Sequence, residues 1–88
     1  MNSAANRYNP DYVIHPGEYL KEVLESREIK KRDFAERVGL SVKAVRRIIA
    51  GRSLYSPDAA LAFEKTLDIH ADVWMKMAEA YQVFHRIE

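Results

Sequence analysis

The stretch Lys31-Arg32-Asp33-Phe34-Ala35-Glu36-Arg37-Val38-Gly39-Leu40-Ser41-Val42-Lys43-Ala44-Val45-Arg46-Arg47-Ile48-Ile49-Ala50 decides the fold of this 88-residue chain. Phe34, Ala35 and Val38 recur at helical spacing, which puts them on one face of a helix over about Lys31 to Val38. Gly39 stops that helix, because glycine takes the left-handed conformation after a helix end at little cost. Ser41 is suited to cap a second helix over Val42–Ala50, in which Val45, Ile48 and Ile49 point inward. The segment reads as helix, tight turn, helix. Ala35 must be small because the next helix crosses close above it, and Val45 and Ile48 lock the pair together.

Working outward, the same start and stop signals recur. Pro16-Gly17 opens a first helix, with proline where its missing N–H costs nothing and Glu18 in the first turn, where the helix dipole favours an acid. Leu20, Val23 and Leu24 form its apolar stripe, Arg27 comes next on it, and the helix ends near Glu28. Gly51 closes the helix after Ser41, and Ser56-Pro57 starts a fourth carrying Ala60, Phe63 and Leu67. A fifth begins near Ala71, places Trp74, Met77, Ala78 and Tyr81 at core spacing and continues through Phe84. Residues 1–11 are polar, contain Pro10 and show no period, so they read as a flexible arm. Tyr12-Val13-Ile14 reads as a short extended run before Pro16. The expectation is an all-α, five-helix domain over residues 12–88 behind an arm at 1–11, with no sheet beyond a short N-terminal strand.

Charge is distributed unevenly. Residues 27–52 carry nine lysines and arginines against three acids, a local balance of +6, while the whole chain has a formal net charge of +1. A basic middle between acidic flanks suits a polyanion; a solvated charged face has the same composition. Ser41, Val42, Lys43, Arg46 and Arg47 face outward once Val45, Ile48 and Ile49 are buried. This is the helix-turn-helix arrangement, whose second helix is free to enter a DNA major groove, and these five are the candidate base-reading residues. Lys43 and Arg47 are the favoured readers. Arginine pairs bidentately with guanine or clamps phosphate, and the sequence leaves Arg46 and Arg47 open between those roles. Lys31, at a helix N-terminus, and Arg52, just past Gly51, are candidate phosphate anchors. Tyr81, Phe84 and Ile87 extend the last apolar face beyond what a small core requires and form a candidate dimer seam. A two-fold dimer doubles the groove contacts without any new sequence.

Other classes find little support. With no cysteine, disulfides and thiolate metal sites are excluded. His15, His70 and His85 share no ligand spacing, so no metal or cofactor is expected. The acids fall on solvent faces with no basic partner set in a cleft, so no enzyme is expected. No apolar run approaches the ~20 residues of a membrane span. The first residues lack the apolar stretch of a secretory signal, and the expectation is a soluble cytoplasmic protein away from membranes.

The helix-turn-helix, with its flanks His15-Pro16-Gly17-Glu18-Tyr19-Leu20, Ser56-Pro57-Asp58-Ala59-Ala60 and Asp72-Val73-Trp74-Met75-Lys76-Met77, resembles HigA-type antitoxins. These are small members of the Cro/cI-like (XRE), lambda-repressor-like helix-turn-helix class. The resemblance covers residues 12–84. It implies a homodimer that binds a palindromic operator in double-stranded DNA and represses its own operon. It also implies a partner, a small toxin that is a ribosome-dependent endoribonuclease. The chain departs from the pattern at three positions. Lys30 stands where a capping Ser or Thr is common, Lys31 where Gln is frequent, and Ala50 where Asn is frequent. Similar segments also begin longer proteins with a zinc peptidase domain, whose His-Glu-x-x-His is absent here. The alternatives are a regulator without a toxin, the DNA-binding segment of such a peptidase-fused protein, and a protein–protein interaction module on the same scaffold. The +6 stretch speaks against the last, which has no need of cations on that face.

Overall fold

Helix boundaries in this chain are set by local acceptors and by residues that accept left-handed backbone. The computed structural model describes residues 14–87, with side chains as far as Phe84. Its helices are α1 (Pro16–Ser26), α2 (Lys31–Val38), α3 (Val42–Ile49), α4 (Pro57–Leu67) and α5 (Ala71–Ile87). The arm at 1–11 and Tyr12-Val13 lie outside the described residues, among which there is no strand. Ser41 and Ser56 each cap the helix that follows, their Oγ atoms accepting from the N–H of Ala44 (3.0 Å) and Ala59 (3.1 Å). His15 caps α1 through Nδ1, which accepts from Gly17 N–H at 2.9 Å. At α5 the cap comes from another helix: Glu64 Oε1 accepts from Ala71 N–H at 3.0 Å.

Three helix ends share one construction. Gly39 (φ 76°) follows α2, and the next residue, Leu40, donates its N–H back to Ala35 O at 3.0 Å. Gly51 does the same after α3, with Arg52 N–H bonded to Arg47 O. After α1 the left-handed position is held by Glu28 (φ 57°), with Ile29 N–H donated to Leu24 O at 2.8 Å. The sequence expectation of a helix reaching Glu28 is therefore corrected: α1 stops at Ser26, and Glu28 forms the turn. Ile29 drives this, since the turn folds its side chain onto the core. The third helix likewise ends at Ile49, one residue short of Ala50, which serves as its C-cap.

The core is one cluster. Leu20, Phe34, Val45, Ala60, Phe63, Leu67 and Trp74 have no or almost no exposed surface. Phe63 is the hub of the aromatic set, with ring centroids 5.1 Å from Tyr55, 5.2 Å from Trp74 and 5.3 Å from Phe34. Tyr55 donates its hydroxyl to Trp74 O at 2.7 Å, and burial pushes its pKa well above the usual tyrosine value. Ile49, expected to point inward, is only half-buried, as are Met77 and Tyr81, because they lie at the edge of their helices' apolar stripes. Helix α1 packs on α3 and α5, α2 on α3 and α4, and α4 on α5. Arg27 adds a long-range tie, its Nη1 donating to Leu67 O at 2.6 Å at the C-terminus of α4, where a cation is favoured.

Candidate nucleic-acid interface

Helix α3 buries one side and presents the other. Val45 and Ile48 are in the core, whereas Lys43, Arg46 and Arg47 are exposed. At 100° per residue, Lys43 falls near the middle of the outward face and the two arginines flank it. Of the five expected base-reading residues, Val42 is placed differently, and Ser41 has the capping role also expected of it from sequence. Ser41 is exposed, but its hydroxyl is occupied as the α3 cap. Val42 is half-buried and packs against the core, because its position turns back toward α2.

The start of α2 stands beside that surface. Lys30 occupies the α2 N-cap without a side-chain hydrogen bond, as its lack of an acceptor dictates. Lys30, Lys31, Arg32, Ile29, Val42 and Arg46 together line an open concavity of about 650 Å³. No acid lines it. The Asp72–Lys76 ion pair and the Glu64–His70 contact among the described residues lie elsewhere. Four cations thus surround one depression with no counter-charge on its lining among the described residues, an arrangement that an anion would relieve. Lys30 and Arg32 were not singled out as site residues from sequence. The signal was the run Lys30-Lys31-Arg32 abutting a helix start.

Arg52 is exposed but sits apart from Lys31. It lines a different depression, past the C-terminal end of α3, with His15, Gly51, Ser53, Tyr81 and Gln82. The position of α3 depends on α1 there. Gly17 lies so close to the Ile48 carbonyl that a Cβ on Gly17 would overlap its oxygen. Only a residue without a side chain allows this approach.

Of the expected dimer residues, Tyr81 stacks edge-on against His15 of its own chain, centroids 4.5 Å apart, and is half-buried. Phe84 is half-buried as well, and the Ile87 side chain lies outside those described. Val83, which the sequence reading passed over, is 50% exposed beside them. Among the described residues no group of His, Asp and Glu side chains could hold a metal ion, and no helix is long and apolar enough to cross a membrane.

An all-helical domain with a short helix pair joined by a tight glycine turn, its second helix cationic and exposed, has the architecture of the helix-turn-helix DNA-binding proteins. Residues 20–74 match the helix-turn-helix family HTH_3, and the chain belongs to that family. No curated protein matches its sequence. Among solved structures it is similar to a Pseudomonas aeruginosa protein in complex with its operator DNA, at 28% identity and TM-score 0.80, covering 85% of this chain and 82% of that one. It is similar to the Pseudomonas aeruginosa antitoxin HigA with the higBA promoter, at 29% identity and TM-score 0.77, covering 82% and 79%. An addiction module antidote protein of the HigA family from Coxiella burnetii aligns at 25% identity and TM-score 0.74, over the same shares. The expected lambda-repressor-like, HigA-type fold is therefore the observed one.

Proposed function

We propose that this chain is a sequence-specific DNA-binding repressor that serves as an antitoxin. In this reading it binds a palindromic operator as a homodimer, represses its own operon and neutralises a small endoribonuclease toxin. The observation that carries the reading is the outer surface of α3, where Lys43, Arg46 and Arg47 stand exposed beside Lys30, Lys31 and Arg32 and, among the described residues, outside any ion pair. Cations on the exposed face of a packed helix are what a polyanionic groove selects. The similar structures solved with operator and promoter DNA support the same reading. Lys31 and Arg52 serve as phosphate anchors, and Phe84 and Ile87, with Tyr81 at their edge, form the dimer seam. Two-fold pairing must then set the α3 helices ~34–36 Å apart to meet one face of the duplex.

The test is fluorescence anisotropy with a duplex taken from upstream of the protein's own gene and with a scrambled duplex, across a salt series. The expected result is tighter binding to the first, weakening with salt by a log–log slope of about 0.9 per phosphate neutralised. Equal affinity for both duplexes removes sequence-specific repression, and salt-independent binding removes the DNA interface. Co-expression with the adjacent reading frame tests the antitoxin role. Growth arrest by that frame, relieved by this chain, is expected; arrest without relief leaves a regulator without a toxin.

A further inference from the structure

The exposed face of α3 is two stripes rather than one. Residues four apart share a stripe, so Val42 and Arg46 form one and Lys43 and Arg47 the other. The structure separates them. Val42 and Arg46 line the concavity with Lys30, Lys31 and Arg32, while Lys43 and Arg47 do not. Val42 is half-buried against the core, which holds that stripe low, toward the start of α2; Lys43 and Arg47 are fully on the outward side.

We propose that Arg46 is a backbone-phosphate clamp and not a base reader, acting with Lys30, Lys31 and Arg32, and that discrimination between sequences rests on Lys43 and Arg47. This rests on the DNA-binding reading above. Two observations and one chemical argument support it. Four cations converge on a depression that no carboxylate among the described residues lines. None of them is in an ion pair among the described residues, so no ion pair there offsets their mutual repulsion. A phosphodiester carries one charge and oxygens facing several directions, so it can be shared by side chains from two helices, whereas a base edge presents its acceptors in one plane. Placing Arg46 among three other cations therefore suits the first ligand and not the second. The arrangement also gives the two helices of the motif a common contact on one strand, which fixes how deep the Lys43–Arg47 stripe sits in the groove.

The experiment uses the full chain and a randomised duplex pool. Selection from the pool yields a preferred sequence for the wild type; affinities for that sequence and for the unselected pool are then measured over a salt series. Arg46→Ala is expected to weaken both by the same factor, to lower the salt slope by about 0.9 and to select the same sequence. Arg46→Lys, which keeps the charge and loses the planar fork, is expected to keep both slope and preference. Arg47→Ala is expected to lose roughly 10- to 100-fold of discrimination between the preferred sequence and the pool. Both positions are exposed, so unchanged melting curves accompany each result. A changed preference in Arg46→Ala, or lost discrimination in Arg46→Lys, overturns the proposal while leaving DNA binding intact. A wild type that shows no salt-dependent duplex binding overturns both readings together.

Discussion

Replacing Gly17 by alanine tests how this fold holds its recognition helix. An ideal Cβ on Gly17 would overlap the Ile48 carbonyl oxygen, stand 2.8 Å from its carbon and 3.0 Å from His15 Nδ1. The first two atoms are backbone and cannot swing aside. Non-bonded heavy atoms rest at about 3.5 Å, so α1 must retreat from α3 by about 1 Å or more. That retreat loosens Leu20 and Leu24 from Val45 and Ile48, which are all buried. It also strains the His15 cap on Gly17 N–H. Overpacking typically costs ~1–3 kcal/mol, and a clash against backbone belongs at the upper end. At ~3 kcal/mol, and ~4–8 °C per kcal/mol for a domain of this size, the melting temperature falls by about 12–24 °C. Gly39→Ala is the internal comparison. Among the described residues, no atom beyond Gly39 and its two chain neighbours lies within 4 Å of a Cβ there, but φ is +76°, so only the left-handed backbone penalty of about 1 kcal/mol applies. Thermal denaturation followed by far-UV circular dichroism gives both numbers. If Gly17→Ala melts within a few degrees of wild type, or costs less than Gly39→Ala, the α1–α3 contact is not what fixes α3.

Other perturbations probe the remaining ties. Trp74→Ala should cost ~3–5 kcal/mol, because Trp74 is fully buried against Phe63 and Tyr55, and the cavity cannot close without moving α4 against α5; an unchanged urea midpoint would mean α5 is not docked. Glu28→Gly should stabilise the protein by up to about 1 kcal/mol, since glycine occupies φ 57° without the penalty glutamate carries and the Ile29–Leu24 bond is kept; a lower melting temperature would show that the glutamate side chain contributes more than its backbone costs. The Tyr55 hydroxyl has its folded-state pKa raised by burial, so it contributes stability fully below its unfolded value near 10 and loses that contribution as pH rises further. Guanidinium midpoints should therefore drop above pH ~10 in the wild type and drop less in Tyr55→Phe; parallel curves would remove Tyr55 as the source. Phe84→Glu should dissociate the proposed dimer in sedimentation while leaving the helical signal intact; a variant that sediments as a dimer would place the seam elsewhere.

The signals that proved legible in the sequence act within a few residues. Ser41 and Ser56 satisfy N–H groups three positions on, Pro16 and Pro57 enter where no donor is needed, and Gly39 and Gly51 take left-handed backbone. These depend only on the chain next to them, so the helices and their buried faces could be read directly, as could the exposure of Lys31, Lys43, Arg46, Arg47 and Arg52. Tertiary structure decided what those helices do to one another. Glu28 turns the chain because Ile29 gains burial, and no local rule favours a glutamate there. Arg27 and Leu67 O meet across 40 residues, Tyr81 turns onto His15, and Gly17 serves a carbonyl in α3 as well as the start of α1. The division of the outward α3 face belongs to the same kind. Helical periodicity places Arg46 and Arg47 equally on the surface, but only the position of α2 puts one of them beside Lys30, Lys31 and Arg32. Local hydrogen bonding is written residue by residue; the relative placement of helices is set by packing over the whole core, and it assigns neighbours that spacing alone does not contain.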